Sequence, residues 1–161
     1  MYTRILVPLD GSRAGNVAAD HAIEIARHFG ASVVFIRVVS PGRVPVGVGG
    51  EAGGMGYGPS PVAAEMIADE MQAEERRNVQ RARRQLSGKI RDAEKFGVSS
   101  SMLTPVGDPA ASIVRAAQQE KADLIVMTTR ARRGIRRALL GSVADEVIKQ
   151  TGSPVLVIRR E

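Results

Sequence analysis

Among its 161 residues this chain has no cysteine and no tryptophan, and three Phe and two Tyr are its only large aromatics. The missing thiols exclude disulfides, thiol nucleophiles, iron–sulfur clusters and thiolate zinc sites. The scarcity of aromatic rings leaves little on which single-stranded bases could stack. No apolar run approaches the roughly 18 residues of a spanning helix. The opening MYTRILVPLD has neither the basic start nor the small-residue cleavage site of an export signal, which predicts a soluble, cytoplasmic protein without a membrane partner. A net charge of +6 and a pI near 10.5 invite a nucleic-acid reading. The absence of helix-turn-helix and zinc-finger spacings, with the missing aromatics, argues against it. The surplus fits a solvated surface with one phosphate site equally well.

What is present is a hydrophobic content of 43%, enough for one domain with a real core and too little chain for two. Residues 4–9 (RILVPL) read as a strand ending at Asp10-Gly11-Ser12. Apolar residues from Ala14 to Phe29 then recur at helical spacing until Gly30. Residues 32–39 (SVVFIRVV) form an almost unbroken apolar strand, expected to be covered on both faces. Residues 40–61 hold eight of the seventeen glycines and four of the eight prolines, so a flexible insertion is expected there. Within it Gly47, Gly49 and Ala52 match a dinucleotide fingerprint. That fingerprint needs its glycines to join a strand directly to a helix, and here they do not.

Residues 62–96 read as one long helix, interrupted at most near Ser87-Gly88, with an apolar face of Met66, Val79, Leu86, Ile90 and Phe96. Its first half holds five acids (Glu65, Asp69, Glu70, Glu74, Glu75) and no base, and Arg76 to Arg91 holds seven bases and no acid, an order that complements the helix dipole. Gly88-Lys89 lacks the other residues of a P-loop. A serine-rich edge strand is expected over 98–103, and Asp108-Pro109 starts the next helix as N-cap and first helical residue. The last forty residues give a strand at 124–128, a loop, a helix at 143–150 opened by Gly141-Ser142, and a buried strand at 154–158. Five strands alternating with four helices make an α/β doubly wound sheet.

In such sheets ligands sit beyond the carboxyl ends of the strands, and a helix N-terminus there binds anions. The loop from Thr128 to Ser142 is therefore the expected site. Arg130, Arg132, Arg133, Arg136 and Arg137 lie in it with no acid between them, which suits a phosphate-bearing visitor.

The opening ILVPLDGS, the internal VGDPA, the strand ADLIVM and the ending LLGSVADEVIKQTGSPVLVI resemble the universal stress protein family over essentially the full length, residues 1–161, with the Gly/Pro-rich stretch at about 40–61 as an insertion. The resemblance implies a five-stranded parallel sheet of order 3-2-1-4-5, a Rossmann-like nucleotide-binding architecture. It also implies a homodimer through the last strand, Pro154 to Ile158, and ATP binding at a loop written G-x2-G-x9-G-[ST]. Here Thr128 and Ala131 replace the two leading glycines, while Gly141 and Ser142 stand as expected. By position, Pro8, Leu9 and Asp10 would lie beside the nucleotide and Val38 along the adenine. Met127, Gly141, Ser142 and Val143 would meet phosphate and ribose, and Arg130, Arg132 and Arg133 would supply side-chain donors where glycine contacts were lost.

Asp10 is a single carboxylate, suited to Mg²⁺ only indirectly, through nucleotide-bound metal. His21 and His28 lie about 10 Å apart along one helix and cannot share a metal ion. No Ser nucleophile has an evident base and no paired carboxylates appear. Three readings follow: a dimeric sensor or regulatory module that binds ATP or a related adenine nucleotide; a dimeric scaffold whose site has decayed through Thr128 and Ala131; or a slow ATPase. The stress signal and any protein partner are not legible.

Overall fold

The computed structural model describes residues 1–41, 60–129 and 141–159. Five parallel strands, β1 (Arg4–Pro8), β2 (Ser32–Ile36), β3 (Ser100–Leu103), β4 (Leu124–Thr129) and β5 (Val155–Arg159), lie in the order β3-β2-β1-β4-β5. The connecting helices are α1 (Arg13–Phe29), α2 (Pro61–Lys95), α3 (Pro109–Gln119) and α4 (Ser142–Gln150). This is the α/β class and strand order expected above.

The central strand is buried on both sides, with Ile5, Leu6 and Val7 wholly inaccessible. Alternation sends Ile5, Val7, Val33, Phe35 and Val126 to one face, against Ala19, Ala22 and Ala26 of α1 and Leu86 and Ala93 of α2. Leu6, Val34, Ile36, Ile125 and Met127 meet Ile113 and Ala117 of α3 and Ala144 and Val147 of α4 on the other. The alanine-rich side of α1 lets that helix approach the sheet closely. It begins where Ser12 Oγ accepts the Gly15 N–H at 3.2 Å and ends at Gly30, whose φ of 69° is the left-handed conformation a side chain disfavours.

Strand order reverses between β1 and β4, which leave the centre in opposite directions and open a crevice at their carboxyl ends. Among the described residues no helix is long and apolar enough to cross a membrane.

As expected, α2 is one long helix, and it runs unbroken through Ser87-Gly88. Four expectations are corrected. First, its acids begin past the first turn, which has none, and only Lys95 lies in the last. The dipole decays within a turn, so it does not explain the charge order; local pairs such as Arg77–Glu70 at 2.7 Å do part of that work. Second, Met66 and Phe96 leave the packed stripe and are mostly exposed, because only the stretch around Ala82, Leu86 and Ala93 reaches the sheet. Third, β2 ends at Ile36, where its pairing with β1 stops, and Val39 continues only as an isolated bridge to Val106. Fourth, β5 has no fully buried residue, since it is an edge with one neighbour. Pro154 precedes this strand. The Gly/Pro-rich insertion, with its fingerprint match, falls mostly outside the described residues.

Candidate functional site

At the crevice, the ends of β1, β2 and β4 and the starts of α3 and α4 enclose a cleft of about 390 Å³. Its walls include Pro8, Leu9 and Asp10 after β1, Val38 after β2, Met127 and Thr128 on β4, and Gly141, Ser142 and Val143 at α4. These nine positions, named from sequence, are brought together in space. Arg130, Ala131, Arg132 and Arg133 lie outside the described residues, as do Arg136 and Arg137.

Chemically the lining is of two kinds. Ile36, Val38, Ile113 and Met127 are apolar, while Asp10, Arg37, Thr128, Thr129, Ser142 and the first turn of α4 bring polar groups. Asp10 is exposed at the mouth and its Oδ1 accepts the Ser12 N–H at 2.8 Å, which fixes the turn that carries it.

The decisive local feature is the start of α4. In α1, α2 and α3 a side chain caps the first turn: Ser12 Oγ, Ser60 Oγ and Asp108 Oδ1 accept from Gly15, Ala63 and Ala111. In α4 the cap is Gly141, which has no side chain to offer, and no side-chain cap bond forms. The Asp145 N–H is already used by Gly141 O at 3.0 Å, and the Gly141 N–H by Thr129 Oγ1 at 3.0 Å. That leaves the N–H groups of Ser142, Val143 and Ala144 as the first-turn donors without a side-chain cap, at the positive end of the helix and on the wall of the cleft.

Thr128 continues β4 in extended backbone, and Lys121 is the only non-glycine residue with positive φ among the described residues. The corresponding question for Ala131 lies outside them.

Sequence reading missed Ile36, Arg37, Pro109, Ile113, Thr129 and Ala144, which also line the cleft. Arg37 had one signal, a lone charge in an apolar strand. It sits half-buried where β2 ends, its guanidinium bonded to Gln85 Oε1 of α2 and laid over Gly11. Thr129 is the buried polar residue of the described core, 5% exposed. Among the described residues no three His, Asp or Glu side chains gather as a metal site. A cation here would have Asp10 as its nearby carboxylate and would need the oxygens of a bound ligand. His21 and His28 are exposed on α1, apart from the cleft.

Comparison with known proteins places this geometry in context. The model of the universal stress protein family matches residues 1–159. A universal stress protein of Methanocaldococcus jannaschii, MJ0531, is 38% identical over 160 residues, covering 99% of this chain and 84% of the relative. The solved structure of MJ0577 from the same organism superposes with a TM-score of 0.77 at 23% identity, covering 100% of this chain and 98% of that one. A universal stress protein from Archaeoglobus fulgidus, solved in complex with dAMP, gives a TM-score of 0.59 at 23% identity, with 98% of each chain covered. At these identities the two structures establish the shared fold.

Proposed function

The chain belongs to the universal stress protein family, and from that premise we propose that it binds an adenine nucleotide, ATP or a relative, in the cleft between β1 and β4 and acts as a dimeric sensor or regulatory module. The uncapped start of α4 carries this reading. Three first-turn donors and a helix dipole lie on the wall of a cleft that also offers the apolar side chains of Ile36, Val38, Ile113 and Met127, which suits a ligand that carries both phosphates and a flat heterocycle. The dAMP complex of the Archaeoglobus fulgidus relative supports the same class of ligand.

In this arrangement Ser142, Val143 and Ala144 donate to phosphate, Val38 and Met127 line the base, and Asp10 reaches Mg²⁺ held by the phosphates. Arg130, Arg132 and Arg133 add side-chain donors. The reading assigns no turnover; Asp10 is the carboxylate on the cleft wall among the described residues. The decayed-scaffold reading rests on Thr128 and Ala131, which stand where the two leading glycines are expected.

Isothermal titration of the purified chain with ATP and Mg²⁺ is the test. Binding at or below millimolar concentration, abolished by Gly141→Val in a folded protein, is the expected result. Replacing Arg130, Arg132 and Arg133 with Gln should weaken ATP more than adenosine. No heat and no bound nucleotide at millimolar ATP overturns the assignment and leaves the scaffold.

A further inference from the structure

Beyond α3 from the nucleotide cleft, a second hollow of about 610 Å³ lies along the free side of β3. Its floor is five consecutive residues, 102–106, so it follows the strand edge and its continuation. Arg83 and Ser87, one turn apart on α2, form one wall, and Ser112, Arg115 and Gln119 on α3 form the other. The hollow is thus a slot at the end of the sheet, in line with the strands.

The backbone on its floor is ready for another strand. Ser99, Leu103 and Pro105 turn their carbonyls inward, to the N–H groups of Val33, Arg37 and Val39 at 2.9, 3.0 and 2.8 Å. Alternation in a parallel ladder therefore points the peptide groups of Ser100, Met102 and Thr104 outward, and β3 pairs with β2 alone among the described residues. Edges of this kind are usually blunted by charge, bulges or proline. Here residues 100–104 carry no charge, and Pro105 faces inward, where its missing N–H costs the outer edge nothing.

The walls define what kind of strand fits. Arg83 and Arg115 are both exposed, neither has an ion-pair partner among the described residues, and no acid lines the slot. We propose that the outer edge of β3 accepts an extended, acidic peptide segment of a partner protein as a sixth strand, with its backbone bonded to Ser100, Met102 and Thr104 and its carboxylates paired with Arg83 and Arg115. A free anion would satisfy the arginines and leave the alternating donors and acceptors of the edge unused, whereas a strand of roughly six residues uses both. This interaction is independent of nucleotide binding.

A random linear peptide library displayed and selected against the full chain supplies the probe. Because α2 and α3 cover opposite faces of the sheet, selected peptides should carry Asp or Glu on both faces, at positions an odd number of residues apart, and slow hydrogen exchange at Ser100, Met102 and Thr104. Their affinity should fall by about tenfold or more with Arg83→Glu and Arg115→Glu together, substitutions at exposed positions that leave the fold intact. The milder Arg83→Gln/Arg115→Gln pair should fall in between. The proposal is overturned if selection returns no acidic peptides, if binding survives charge reversal, or if peptides N-methylated at the edge-facing amides bind as tightly as the parent.

Discussion

The Gly141 N–H donates to Thr129 Oγ1 at 3.0 Å, joining the cap of α4 to the last residue of β4 across the intervening loop. The bond satisfies the cap residue's own N–H and ties the first turn of α4, whose next three N–H groups have no side-chain cap, to the end of β4. Thr129→Val keeps the shape and removes the acceptor, stranding a partly buried N–H. The expected cost is about 1–3 kcal/mol in urea denaturation, with weaker ATP binding in titration. Thr129→Ser should retain most of both. Wild-type stability and affinity in the valine variant would show that the bond does not hold the turn.

A second contact sets the other lip of the cleft. Gly11 has φ of +78°, and a β-carbon there would collide with Arg37 Nη1, the same group that bonds Gln85 Oε1. Gly11→Ala should therefore combine left-handed strain of about 1–2 kcal/mol with displacement of the guanidinium. The guanidinium is the far end of a flexible side chain and can shift, so in a double-mutant cycle with Arg37→Ala the losses should add to within about 0.5 kcal/mol. Coupling well beyond that would mean that Arg37 is held too firmly to yield.

The contrast between these two contacts and the rest of the site shows what a sequence discloses. Asp108-Pro109 and Gly30 are local devices, and the helix boundaries they imply match the structure because capping depends on neighbours a few residues away. The strand order followed from the family resemblance, since alternating elements alone permit several orders. Thr129 and Arg37 were opaque because their roles depend on partners 12 and 48 residues distant. The length of β2 and the exposure of β5 were misjudged for a related reason: apolar composition reports the capacity to be buried, while a neighbour in the sheet decides whether burial occurs. In α2 the charge order suggested a dipole effect that the length of the helix rules out.

Asp123 clamps the two central strands at their amino ends. Its Oδ2 accepts from Thr3 N at 2.7 Å and Thr3 Oγ1 at 2.6 Å, and its Oδ1 from Arg4 N at 3.1 Å. Burial pushes its carboxyl up, but the bonds from Thr3 and Arg4 together outweigh burial and hold it below the ordinary value of 3.8. A depressed folded pKa stabilises the fold fully above the unfolded value of about 3.9, and that stabilisation disappears as pH falls through the lower folded value. Asp123→Asn offers an NH₂ where one donor points and should cost about 2 kcal/mol at neutral pH. The gap between variant and wild type should shrink as pH drops below about 4. A gap independent of pH in acid denaturation would assign the loss to packing.

β5 remains as the other open edge, and it is where self-association is expected. It pairs with β4 alone, Leu156 is 38% exposed, and Val157 and Ile158 are only half covered. Two copies of this strand related by a two-fold axis would run antiparallel, complete each other's ladder and bury those side chains. Pro154 lies before β5 and would flank the pairing. The choice of substitution matters, because Val155 packs against the α3 and α4 layer and a charge there would also damage the core. Leu156→Glu removes apolar contact from the exposed side and, at a two-fold interface, brings like charges together, so it should leave the fold intact while dissociating the dimer. Light scattering at micromolar concentration should give about twice 17.2 kDa for the unmodified chain and about 17.2 kDa for the variant. A monomer in both would remove β5 as an interface. A dimer in both would move the interface elsewhere on the molecule.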